Sequence, residues 1–598
     1  MIDVRRIFPF LRWVHEIRDP SVLRADMIAG ITVSLVLIPQ SMAYAQLAGL
    51  PPYFGLYISF MPVLIAALWG SSRQLATGPV AVVSLMTATA LATVVGGTAI
   101  SHPELAAQYI PLAMFLAFLV GCFQFLLGTF RLGVVVNFLS HPVIVGFSNA
   151  AALVIGLSQL SKIFGVTMPG MASDHFLSVR IWGVIMQLGS THIATFIVGV
   201  SAFSIMMYLK KYQPRLPNVL IAVVVTTVVS WLIGFEEKLG GSVVGTIPAG
   251  LPDIIAPQIN LDLILTLLPS AIIISLVGFM EAISIAKAMA AKTKHRIDPN
   301  QELIGQGLGN IVGSFTQAYP ASGSFSRSAV NLNAGAKTGF SSVVTAAVVV
   351  ITLLFLTPLL YHLPTAVLAA VIMMAVFGLV SISAVKHAWQ ANKHDGIAAV
   401  VTFVATLGFA PHLDKGIIIG AVLSIVLYLY RTMSPRVAVL GRYKDGTLRD
   451  LQVHPDLPSD EHVVAMRFDG SLYFANVSYF EDAILKAVSK KPNVKFILVV
   501  GSAINQIDAS GEDMLHHVVQ RLKDNGITIV FSGLKKQILD VLRKTGVYDQ
   551  IGEQNIHATP DIALNSIYQK LKLLKDENEE LFCPLYPDFI AEGYKRVE

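Results

Sequence analysis

The sequence predicts an α-helical membrane protein of about fourteen spanning segments, followed by a small α/β domain. Three observations carry that prediction. Of the 598 residues, 54% are hydrophobic and only 14% are charged, against about 25% in an ordinary soluble chain. The charges are sparse as far as Arg431 and ordinary from Met433 onward. In the sparse part, apolar runs approach the roughly 20 residues that a bilayer-crossing helix needs.

Those runs lie near 27–46, 53–69, 75–97, 109–130, 136–164, 192–209, 218–234, 259–290, 301–318, 321–357, 363–382, 396–411 and 415–430. They amount to thirteen or fourteen elements, because 321–357 reads as one or two. Basic residues mark the cytoplasmic side. Arg5, Arg6, Arg12, Arg18 and Arg24 precede the first run, and Arg73 follows the second. Lys210, Lys211 and Arg215 follow the sixth; Lys287, Lys292, Lys294 and Arg296 follow the eighth. Lys386 and Lys393 follow the twelfth, and Arg431 and Arg436 the last. Both ends inside require an even total, hence fourteen. The opening MIDVRRIFPFLRWVHEIRD is basic and amphipathic without the apolar core of a cleavable signal, and reads as an interfacial cytoplasmic helix.

The soluble part alternates. VVAMRF and SLYFA read as strands, VSYFEDAILKAVSK as a helix, VKFILVV as a strand, SGEDMLHHVVQRLKD as a helix, ITIVFS as a strand and LKKQILDVLRKTG as a helix. Such alternation predicts a small α/β domain. The expected division is an N-terminal segment 1–24, a transmembrane domain 25–435, the α/β domain 436–575 and a tail 576–598.

Composition also excludes. Cys122 and Cys583 sit in an apolar run and in the tail, a spacing that suits neither a disulfide nor a cysteine zinc site. The net charge of +5 reads as membrane topology, not nucleic-acid binding. No GxxxxGKS loop, HExxH motif or zinc constellation occurs. These absences argue against an ATP-driven pump, a metalloenzyme and a bound cofactor.

Two short segments resemble each other. Ala76-Thr77-Gly78-Pro79-Val80-Ala81 precedes the third run, and Ala321-Ser322-Gly323-Ser324-Phe325-Ser326 precedes the tenth. Paired Gly/Pro-interrupted segments in inverted halves point to a transporter's midplane site. The second segment carries Arg327. It reads either as a membrane-edge arginine or as a cation facing a cavity; apolar sequence on both sides favours the cavity, because an intramembrane arginine costs at least about 2.5 kcal/mol. A helix starting at Ser326 would point its free N–H groups and about half a positive charge at the membrane centre, and Gly78–Ser84 would offer a second such end. Two helix N-termini and a guanidinium suit an anion.

Glu281 is the lone acid in SAIIISLVGFMEAISIAKAMAAK. It reads as an ion-pair partner, with Arg327 itself as one option, or as a proton carrier in low dielectric. Gln40 and Tyr44 sit beside Pro39 in the first run; they read as a kink with packing polars or as neutral donors to the anion. In INQIDASGEDM, Asp508 and Ser510 read as N-cap chemistry.

Together IPQSMAYAQLAGLPPYFGLY (38–57), ATGPVAVVSLM, NQELIGQGLGNIVGSF (300–315), SGSFSRSAVNLNAGAKT (322–338) and the terminal DASG domain resemble the SulP family of anion transporters, over nearly the whole chain and in the expected order. The soluble part resembles a STAS domain. The resemblance implies two inverted repeats of seven segments divided into core and gate, and an elevator-like movement of the core. It also implies a homodimer with a cytoplasmic STAS domain. It implies an anion held by Gln40, Tyr44, Val80, Ser326 and Arg327, with Gly78 and Gly323 at the two breaks, and a proton-coupling role for Glu281 like that in members resembling plant sulfate transporters. Ala509 stands where the anti-sigma-factor antagonists carry their phosphorylated serine, so switching at that position is not expected.

The function expected is proton-coupled sulfate symport, a secondary active uptake at the inner or plasma membrane. A dianion entering against an inside-negative potential works against about 2.3 kcal/mol per charge per 100 mV, so cations must accompany it. The alternatives are bicarbonate or dicarboxylate symport, a passive exchanger or channel on the same scaffold, and a membrane receptor with the soluble domain as output.

Overall fold

Asp19 closes the first turn of the first long helix by accepting from the Ser21 N–H at 2.8 Å. In the computed structural model, the described residues are 8–96, 105–134, 140–166, 177–213, 216–410, 412–574 and 583–586. Arg5, Arg6 and Arg215, used above for orientation, and most of the 576–598 tail lie outside them. The chain divides into two compact units, Met1–Ser424 and Ile425–Glu598.

The first half of the helical unit runs through α1 (Pro20–Leu47), a short α2 (Phe54–Tyr57), α3 (Met61–Trp69), strand β1 (Ala76–Gly78) and α4 (Ala81–Val95). It continues with α5 (Ala106–Thr129), α6 (His141–Ser158), α7 (Leu160–Phe164), α8 (Leu177–Met186), α9 (Ile193–Tyr212) and α10 (Asn218–Ile233). The second half opens in the same way, with a long helix α11 (Leu261–Thr293), α12 (Pro299–Phe315), strand β2 (Ser322–Ser324) and the half-helix α13 (Phe325–Asn333). There follow α14 (Phe340–Ile351), α15 (Thr365–Val376), α16 (Ile382–Ala391), α17 (Lys393–Phe409) and α18 (Leu413–Met433). Among the described residues, seven helices are long and apolar enough to cross a membrane, and four apolar ones are shorter.

Of the two readings of the run 321–357, the divided one describes it: it forms β2, α13 and α14, with Gly335 at φ +96° closing α13, a conformation that glycine adopts at little cost. Among the described residues, the N-terminal segment before α1 forms not an α-helix but two 3-10 turns, Pro9–Arg12 and Val14–Arg18. The chain bends between them at Trp13, whose ring is buried against Gly339.

The helices pack in two groups. In one, α12 lies against α5 and α3, α11 against α5, and α14 against α1. In the other, α6 lies against α17, and α9 against α15 and α10. Glycine permits the closest approaches: a Cβ on Gly121 of α5 would lie 2.7 Å from the Gly307 carbonyl of α12, and one on Gly307 2.8 Å from the Gly121 carbonyl. Backbones this close gain dispersion contact where burial from water offers no drive.

The C-terminal unit is a six-stranded sheet in the order β4-β3-β5-β6-β7-β8, formed by β3 (Val437–Arg442), β4 (Leu448–Asp450), β5 (Val463–Phe468), β6 (Phe496–Val500), β7 (Thr528–Ser532) and β8 (Ile556–His557). The pairs from β5 to β8 are parallel; β3 pairs antiparallel with β4 and β5. Helices α19 (Val477–Ser489), α20 (Ala509–Asp524) and α21 (Lys536–Thr545) cover one face, and α22 (Val547–Ile551) follows. On the other face α23 (Pro560–Leu573) packs with Cys583 and Leu585. Cys122 and Cys583 are free. SLYFA is not a strand. Leu472 makes a single bridge to Ile507. The Asn476 side chain then turns the chain into α19, accepting from the Tyr473 N–H at 3.1 Å and donating to the Ser471 carbonyl at 2.8 Å. Asp508 caps α20 through the Gly511 N–H at 2.8 Å; Ser510 is exposed within the helix and takes no part in that bond.

Candidate functional site

The resembling segments of the two halves meet. β1 and β2 pair antiparallel, Ala76 with Ser324, Thr77 with Gly323 and Gly78 with Ser322. Short strands inside a membrane domain need every backbone group satisfied, and α12 supplies much of the anchorage. Its Gln306 amide donates to Thr77 Oγ1 at 2.8 Å. One turn later Asn310 accepts from the Ala321 N–H at 2.7 Å and donates to the Ala321 carbonyl at 3.1 Å. Ser322 Oγ donates to the Gly278 carbonyl of α11 at 2.7 Å. The role of Gln306 and Asn310 was not recognised from the sequence. The available signal was a pair of amides at helical spacing on a glycine-rich face.

From this crossing α4 and α13 set off with N-caps Val80 and Ser324, and neither cap carries a side-chain hydrogen bond to its helix. Their first-turn N–H groups are therefore open to a ligand. Both ends face a cavity of about 680 Å3, lined by Val80, Ala81, Ser324 and Ser326 together with Gln40, Tyr44 and Glu281. The proposed site residues of four separate segments thus come together. Ser324, and Phe325 beside it at 57% exposed, join the lining unforeseen.

Arg327 is fully buried and is not part of the cavity wall. Its Nη1 donates to Gln40 Oε1 at 3.1 Å, and Gln40 Nε2 donates to the Tyr44 hydroxyl oxygen at 3.0 Å. Arg327 Nε and Nη2 have no hydrogen-bond partner among the described residues. The guanidinium thus stands behind the cavity wall, joined to it by the hydrogen bond to Gln40. Gln40 lines the cavity and joins Arg327 to Tyr44.

Gly78 and Gly323 also lie outside the cavity wall. They are packing positions. Gly78 has φ +142°, and a Cβ there would stand 3.2 Å from Arg327 Nη2. A Cβ on Gly323 would meet Leu75 at 2.8 Å and Ala282 of α11 at 3.0 Å. Absence of side chains lets β2 seat against the helix that carries Glu281. Glu281 itself lines the cavity. Among the described residues no ion pair joins it to Arg327.

The cavity extends past Lys210, Leu216, Asn218 and Gly378, beside the basic C-terminal end of α9. On the other side of α4, Met86, Thr89 and Thr93 meet Ser270, Ile274 and Asp414 around only about 50 Å3.

Comparison with known proteins agrees with this architecture. The sulfate permease family profile matches residues 23–402 and the STAS domain profile residues 454–563. Sulfate transporter 4.1, chloroplastic, of Arabidopsis thaliana is 36% identical over 564 residues, covering 92% of this chain and 80% of that protein. High affinity sulfate transporter 2 of Stylosanthes hamata is 33% identical over 582 residues, covering 94% and 86%. The fold is similar to that of the murine Solute Carrier 26 family member A9 anion transporter in its inward-facing state, with TM-score 0.87 and 24% identity over 94% of each chain. The chain belongs to the sulfate permease family, a family of transporters and not of enzymes, and it carries a STAS domain toward its C-terminal end.

Proposed function

We propose that this chain is a secondary active transporter of an inorganic anion, with sulfate as substrate and protons as the coupling ion. The observation that carries the reading is the pair of uncapped helix N-termini, α4 and α13, opening on one cavity with the Arg327–Gln40–Tyr44 chain behind it. Each N-terminus contributes about half a positive charge. The two helix ends together bring about one positive charge to the cavity, and the buried guanidinium behind Gln40 adds a second close to it, which suits a dianion better than bicarbonate. The names of the relatives, sulfate transporters of two plants, support the same substrate.

In this mechanism the anion sits between Val80 and Ser326 and accepts from the first-turn N–H groups and the Tyr44 hydroxyl. Glu281, on the same cavity wall, takes up a proton with the anion and so removes a negative charge beside it. The group containing β1, α4, β2 and α13 travels as an elevator-like core past the group containing α6, α9 and α15. The part of the cavity beside Lys210 faces the cytoplasm, as does the STAS domain, and the protein works as a homodimer in the inner or plasma membrane.

The test is uptake of labelled sulfate into proteoliposomes with an imposed or collapsed proton gradient. Accumulation driven by an acidic exterior, blocked by selenate and indifferent to sodium, is expected. Sodium-driven bicarbonate uptake without sulfate uptake would overturn the substrate and the coupling ion together. Gradient-independent sulfate equilibration would leave a passive exchanger.

A further inference from the structure

A second cavity lies outside the anion site. It encloses about 960 Å3 between the ends of α3, α5 and α12, and it is amphipathic along its length. At one end stand three arginines, Arg12, Arg131 and Arg296, with Trp69. At the other, Phe125 lies one turn before Thr129 on α5, and Ile304 and Leu308 lie one and two turns beyond Asn300 on α12. The groove therefore passes from a cationic mouth to an apolar floor as it follows two helices into the domain.

The side chains of the three arginines have no hydrogen-bond or ion-pair partner among the described residues, whereas Arg73 is paired with Glu16, Arg442 with Asp561 and Arg521 with Glu481. Asp298 is the one acid in the lining, and its carboxylate caps α12, accepting from Asn300 and Gln301. The mouth is built rigidly. Asn300 Oδ1 accepts from the Gly133 N–H at 2.9 Å, and Gln301 Nε2 donates to the Trp69 carbonyl at 2.8 Å. Arg131 has φ +58°, in the left-handed region that favours glycine. Trp69 clusters with Phe8 and Phe10 at centroid distances of 6.2 and 6.4 Å, the composition of an aromatic belt at a membrane–water boundary.

We propose that this groove binds one anionic phospholipid, the headgroup phosphate between Arg12, Arg131 and Arg296 and an acyl chain along Phe125, Ile304 and Leu308. Basic pockets between spanning helices recognise such headgroups through the same charge complementarity. A free phosphate would satisfy the arginines but leave the apolar floor unused, which is why the lipid is the occupant.

The experiment uses the full chain, purified in non-ionic detergent and stripped of lipid. Palmitoyl-oleoyl phosphatidylglycerol, palmitoyl-oleoyl phosphatidylcholine and inorganic phosphate are added in turn, and bound lipid is read by native mass spectrometry. One phosphatidylglycerol per chain should be retained in preference to phosphatidylcholine, and inorganic phosphate should not displace it. Arg131→Gly, which suits its backbone conformation and so spares folding, should weaken retention about fivefold. The triple change Arg12→Gln, Arg131→Gly and Arg296→Gln should weaken it about a hundredfold. Leu308→Trp, which fills the floor and leaves every charge, should weaken it as well. Equal retention of the two lipids, or undiminished phosphatidylglycerol on the triple variant, would overturn the site. Displacement by inorganic phosphate would overturn the lipid in favour of a free anion.

Discussion

Arg327 Nη1 lies 3.1 Å from Gln40 Oε1, and through that bond a fully buried cation on α13 is tied to a polar step in the middle of α1. Each group in the sequence Arg327, Gln40, Tyr44 donates to the next, so the positive character is handed along it. Its last free hydrogen is that of the Tyr44 hydroxyl, which lines the cavity.

Tyr44→Phe should remove that terminal donor and leave the shape of the site. A hydrogen bond to a charged group is worth about 1.5–3 kcal/mol, roughly tenfold to a hundredfold in affinity. The half-saturation concentration for sulfate uptake should rise within that range, with the protein's gel-filtration profile unchanged. An unaltered value would remove the hydroxyl from the site.

Arg327→Met should separate function from stability. The guanidinium is buried with Nε and Nη2 unpartnered, a costly arrangement that an apolar side chain of similar length relieves. Sulfate binding should fall below detection while the thermal midpoint in detergent stays equal or rises. Binding that survives would show that the two helix ends suffice alone.

Glu281→Gln keeps the shape of the side chain and removes its proton exchange. Net accumulation driven by an acidic exterior should disappear, while exchange of labelled for unlabelled sulfate persists. Uptake that remains fully responsive to the proton gradient would move the coupling group elsewhere.

The C-terminal unit should respond to mild acid. The His557 imidazole is held below its ordinary value of 6.5, first by burial and then by the Lys570 ammonium. A depressed folded value means that the unfolded chain takes the proton more readily. The stability tied to the neutral ring is therefore complete above about pH 6.5 and is lost as pH falls. The unfolding midpoint of this unit should drop between about pH 7.5 and about pH 5.5, and less so in His557→Gln. Equal drops in the two proteins would remove His557 from the effect.

Much of this was legible in the chain itself. Apolar length places the long helices, because a spanning segment must be about 20 residues long whatever it packs against. Strand–helix alternation places β5 to β7 and α19 to α21, because period and turn residues are local properties. The paired breaks at Gly78 and Gly323 were visible as composition, and their meeting as β1 and β2 follows from the inverted halves.

What only the tertiary structure decided concerns direction and contact. The sequence marks Arg327 as an intramembrane cation; packing alone turns its guanidinium away from the cavity wall, toward Gly78 and Gln40. It marks Glu281 as a lone acid, and only the placement of α11 separates it from Arg327. The anchoring of the crossing by Gln306 and Asn310 joins residues far apart in the chain. So does the groove of Arg12, Arg131 and Arg296. Such groups share no local period for a sequence to display, because their relation exists only once the helices have packed.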